Sequence, residues 1–65
     1  MNYEEILNKA SDVIAENDKQ MSEWINSYTK YHDNGDENSA TACWEQVRYC
    51  KAMNEGIYKL LKAME

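Results

Sequence analysis

The chain contains no proline, and its glycines number two, Gly35 and Gly56. Without these residues a turn-rich all-β fold has little to build its corners from, and the composition points instead to helices. No apolar run approaches the roughly 20 residues of a membrane span. Met1-Asn2-Tyr3-Glu4-Glu5 has neither the basic region nor the apolar stretch of a signal peptide. The expected location is therefore the cytoplasm, where Cys43 and Cys50 stay reduced. They lie two helical turns apart, about 10 Å along an axis, too far to bridge each other. Positive charge is also scarce: 7 Lys and Arg stand against 12 Asp and Glu, for a net charge of −5. Nucleic-acid binding relies on neutralising phosphates and is disfavoured. A basic protein partner is compatible with that balance.

With 65 residues the chain makes one domain. So short a chain buries little of its surface and calls for a disulfide, a metal or a second copy. What it has in quantity is heptad periodicity. Asn2 suits a helix N-cap, with Glu5 three residues on as in a capping box. Seam residues then recur at spacings of four and three: Tyr3, Leu7, Ala10, Ile14, Asn17, Met21, Trp24, Tyr28, Tyr31. The pattern stops at His32-Asp33-Asn34-Gly35-Asp36-Glu37-Asn38-Ser39. Gly35 can close one helix in the left-handed conformation, and Asp36, Asn38 or Ser39 can cap the next. A second series follows: Ala40, Cys43, Val47, Cys50, Asn54, Ile57, Leu61, Met64.

These series predict an all-α fold, an antiparallel helical hairpin over 1–65, with helix one about 3–33, a loop about 34–38 and helix two about 39–64. Residues at equal height then share an index sum of 71, which pairs Leu7 with Met64, Ile14 with Ile57 and Trp24 with Val47. Each series is interrupted once, by Asn17 and by Asn54, and both fall in the same layer. Two amides facing each other can hydrogen-bond and fix the register, as single polar seam residues do in coiled coils. The alternative is that both are partly exposed and unrelated.

Some apolar residues lie outside the seam. Ile6, Val13, Met53 and Leu60 fall on one flank towards the termini, and Ile25 and Trp44 on the other near the loop. Two helices cannot cover both flanks, so a homodimer forming a four-helix bundle is expected. The other occupant for these flanks is a different protein.

No catalytic, metal or cofactor motif is present. The chain holds a single histidine, His32, and its cysteines are not a close pair, whereas zinc needs four clustered ligands. The loop misplaces the acidic positions of a calcium-binding helix-loop-helix, with Thr41 standing where the closing glutamate belongs. Except for Ser39 across the loop, where a polar loop with serine and histidine is ordinary, the serines lack a histidine with an orienting carboxylate. The expectation is a protein that is not an enzyme.

Charge supplies two candidate surfaces. Helix one carries Glu5, Asp12, Glu16 and Glu23 on its outer face, with Lys9 and Lys19 between them. This is either a partner-binding surface or a solvated helix face in which Glu5 pairs with Lys9. Helix two carries Trp44, Arg48, Lys51, Tyr58 and Lys62 along adjoining positions. Aromatics interleaved with cations can stack a base and hold a phosphate. Packing explains them as well: Lys51 falls beside Asp18, an inter-helix ion pair, and Trp44 beside Ile25. Gly56 has no assigned role.

Length, heptads and hairpin topology together resemble those of the Rop family of plasmid copy-number regulators, whose hairpins pair into a four-helix bundle. The resemblance implies the fold and the dimer. That family's basic, aromatic RNA-contacting face on its first helix has no counterpart in this acidic helix, so RNA binding does not carry over. The functional expectation is a small, acidic interaction protein. It would be an inhibitor or adaptor of the kind phages and mobile elements encode, binding a host macromolecule stoichiometrically. The alternative is an oligomer that sequesters a nucleotide or other phosphate compound, held by Arg48, Lys51, Tyr58 and Lys62.

Overall fold

The computed structural model describes residues 2–65 as two helices packed against each other, α1 (Tyr3–Asp33) and α2 (Glu37–Met64). The ends of α1 have chemical causes. Asn2 opens α1, its side-chain oxygen accepting from the Glu5 amide at 2.9 Å. At the other end Gly35 adopts φ +77°, the left-handed conformation that costs glycine least. Its amide donates to the His32 carbonyl at 3.1 Å, and the Asp36 amide donates to that of Tyr31 at 2.9 Å. That pair of bonds is the Schellman closure, which satisfies carbonyls the helix leaves free.

Of the three capping candidates Asp36 is the one used, its carboxylate accepting from the Ser39 amide at 3.2 Å. Consequently α2 begins at Glu37 rather than at 39, and the connection is Asn34-Gly35-Asp36 rather than 34–38. A carboxylate at this position also faces the positive end of the helix dipole.

The two seams meet as the heptads require. Ala40, Cys43, Val47 and Cys50 are buried on α2, and Leu7, Ala10, Ile14, Met21 and Tyr28 are half-buried above them on α1. Both cysteines are free thiols. The asparagine layer forms: Asn17 Nδ2 donates to Asn54 Oδ1 at 2.9 Å, and each residue is 7% exposed. Asn54 Nδ2 donates onward to Asp18 Oδ1 at 3.0 Å. Among the described residues no buried side-chain polar atom lacks a partner. A buried amide left unpaired would cost about 1–3 kcal/mol, so the bond makes the layer specific to this register.

The core is nevertheless thin. Every buried apolar residue belongs to α2, all are small or medium, and Asn17 is the one buried residue of α1 among those described. The molecule is a rod of 49 × 16 × 12 Å with a radius of gyration of 15.0 Å. A compact chain of this length has a radius of about 11 Å.

Candidate functional site

Three surfaces were expected to carry function, and the hairpin places them differently. On α1, Glu5, Asp12, Glu16 and Glu23 are all exposed. Glu16 accepts from Gln20 Nε2 at 3.3 Å, one turn along the helix. The expected Glu5–Lys9 pair does not close: among the described residues the one contact of this kind joins His32 Nδ1 to Glu37 Oε1 at 3.1 Å. The acidic face is thus presented to solvent with its carboxylates free of lysine partners.

The expected Lys51–Asp18 ion pair is also absent among the described residues. Asp18 instead accepts from Asn54 Nδ2, as described above. The reason is reach. Asn54 already stands in the seam beside Asp18, and a buried amide gains more from the carboxylate than an exposed ammonium that water solvates well. Lys51 is left exposed.

The cationic stripe does not form one site. Trp44 and Arg48 line an open groove of about 210 Å³ near the loop, together with Tyr28, Glu37, Thr41 and Glu45. Lys51, Tyr58 and Lys62 lie further along α2 and outside it. The groove wall is aromatic. Tyr28 and Trp44 approach with ring centroids 5.3 Å apart at 50°, and Tyr28 stacks on His32 at 5.7 Å and 6°. Such pairs add about 0.5–1.5 kcal/mol beyond the area they bury. Trp44 packs its ring against Tyr28 across the hairpin. Sequence reasoning missed His32, Glu37, Thr41 and Glu45 as members of this cluster. The signal was available: Tyr28 and His32 are four apart on one helix face, as are Glu37 and Thr41, and Trp44 and Arg48.

The flank residues are exposed as expected in all but one case. Val13, Ile25, Trp44, Met53 and Leu60 are 38–61% exposed, whereas Ile6 is half-buried at the open end of the hairpin. Tyr49 and Tyr58 add further aromatic surface on α2. Among the described residues no three His, Cys, Asp or Glu side chains group as a metal site would require. Nor is any helix among them long and apolar enough to cross a membrane.

No family model, curated protein or solved structure matches this chain. The likeness to the Rop family accordingly stands on length, heptads and topology alone.

Proposed function

We propose that this chain is a non-enzymatic interaction protein. It pairs with a second copy into a four-helix bundle and acts by stoichiometric binding of another macromolecule, as an inhibitor or adaptor. The observation that carries the pairing is unused surface. The hairpin exposes 5025 Å². A compact monomer of 7.6 kDa exposes about 4,300 Å². The difference, about 700 Å², is close to the roughly 800 Å² that each partner contributes to an ordinary protein interface.

The acidic face of α1 supports the second half of the reading. Glu5, Asp12, Glu16 and Glu23 stay outside the seam and free of lysine partners, so they suit a basic protein surface. The doubly reversed variant Glu16→Lys/Glu23→Lys tests this. Partner capture should fall at least about tenfold, the effect of losing roughly 1.4 kcal/mol of complementarity. The melting temperature should stay nearly unchanged, because both side chains are exposed. Capture at full strength would remove the acidic face from the reading.

The aromatic groove favours a second reading, a small-ligand binder. Tyr28 and Trp44 offer stacking faces, but Arg48 shares the groove with Glu37 and Glu45. A planar ligand suits that lining better than a compound recognised chiefly through its phosphates. Titration calorimetry with nucleotides, compared with uncharged aromatic compounds, separates the two ligand classes.

A further inference from the structure

Gly56 lies inside α2, where glycine costs about 1 kcal/mol relative to alanine. Nothing in the hairpin requires it: a Cβ built there meets no atom within 4 Å, and its φ is ordinary. The reason for a side-chain-free position must lie outside the hairpin. Counting from Gly56 in heptad steps of three and four gives Ala42, Gln46, Tyr49, Met53, Gly56, Leu60 and Ala63. These residues form a second seam on α2, turned away from α1, apolar or small at every position except Gln46. All are exposed, Tyr49 at 63%, Leu60 at 61% and Met53 at 38%. On α1 the corresponding positions are Ile6, Lys9, Val13, Glu16, Gln20, Glu23, Ser27 and Lys30, so only α2 carries the apolar seam along its length, with Ile6 and Val13 extending it on α1 towards the termini.

We propose that this second seam is the dimer interface, and that α2 packs antiparallel on α2 of a second copy about a two-fold axis at Met53. This inference rests on the pairing proposed above. The seam is self-complementary in one direction. Antiparallel packing about Met53 gives facing residues an index sum of 106, which sets Gln46 against the partner's Leu60 and Met53 against the partner's Met53, and brings Tyr49 within one residue of the partner's Gly56 and Ala42 within one residue of the partner's Ala63. The bulkiest side chain meets the position with none, twice per dimer, as large-to-small interdigitation demands. Parallel packing would face glycine with glycine and tyrosine with tyrosine, leaving a void in one layer and a crowd in another. The contact runs from Ala42 to Ala63, about 32 Å of helix. It takes up the surplus area, and it leaves the groove at Tyr28, Trp44 and Arg48 and the Glu5 and Asp12 part of the acidic face on other sides of the rod, with Glu16 and Glu23 at the margin of the contact.

Sedimentation equilibrium on the full chain tests the proposal with Gly56→Leu and Leu60→Glu. A leucine at 56 fills the pocket for Tyr49 yet is a better helix former than glycine. Each variant should weaken dimerisation by about tenfold or more with helical content retained. Gly56→Ala, which cannot disturb the hairpin, should show a smaller loss in the same direction. Tyr58→Glu, on the opposite flank, should dimerise like the wild type. Orientation is read by a short bismaleimide cross-linker. With Cys43 and Cys50 replaced by alanine, a mixture of Ala42→Cys and Ala63→Cys chains should cross-link, and Ala63→Cys alone should not, since its two copies stand about 30 Å apart along the axis. A dimer unmoved by the substitutions at 56 and 60 would overturn the seam while leaving the pairing intact. A wild-type monomer at every concentration would overturn both. Cross-linking of Ala63→Cys alone would overturn the antiparallel arrangement.

Discussion

Two amides decide the register of this molecule. Asn17 and Asn54 interrupt otherwise apolar heptads, and in the structure they bond to each other while Asn54 also reaches Asp18. Replacing one by leucine strands the other. Asn17→Leu and Asn54→Leu should each cost about 1–3 kcal/mol in urea unfolding, with Asn54→Leu the worse because it breaks two bonds. The double variant should recover much of that loss, since two leucines repack an apolar layer, and a double-mutant cycle measures the coupling. Equal, additive losses would show that the amides act independently. The pairing was legible from residue order because both interruptions fall at one height. The Asp18 contact was not, because it depends on which of two neighbours, Asn54 or Lys51, wins one carboxylate. Burial settles that competition, and burial is not written in the heptad.

At the scale of elements, the turn concentrates the local chemistry. Gly35 has open space around it, so a substitution there meets conformational strain and no clash. Gly35→Ala should destabilise the hairpin by about 1–2 kcal/mol, the cost of a left-handed non-glycine residue. Asp36→Ala removes the N-cap of α2 and should cost about 0.5–2 kcal/mol. Thermal melts followed by circular dichroism read both. If either variant melts with the wild type, the caps are not what closes the turn. The periodicity located both helices and the glycine that stops the first. It placed the start of α2 two residues late, because Asp36, Asn38 and Ser39 are all competent caps. The Schellman closure through the Asp36 amide selects the first of them. The groove was half legible: Trp44 and Arg48 stand out as an aromatic and a cation, whereas Tyr28 was assigned wholly to the seam. A tyrosine at a seam position is long enough to present its ring to both sides, so a seam assignment alone does not settle where the ring ends.

At the scale of the whole molecule, the hairpin is a structure with its core half made. Small side chains on α2 are covered by α1, while Tyr49, Leu60 and Val13 remain in water. Burying such residues contributes about 25 cal/mol per Å² removed from solvent, and this chain has surface to spare. Stability should therefore depend on concentration, the melting temperature rising as the protein is concentrated, since a partner that binds only the folded chain adds to its stability by mass action. A melting temperature constant over a hundredfold range would argue against that coupling.

The most direct test is the mass of the wild-type chain in solution, measured by sedimentation equilibrium across a wide concentration range. A dimerising hairpin gives a single reversible association from the 7.6 kDa chain to twice that mass. A chain that stays at its single mass throughout would contradict it.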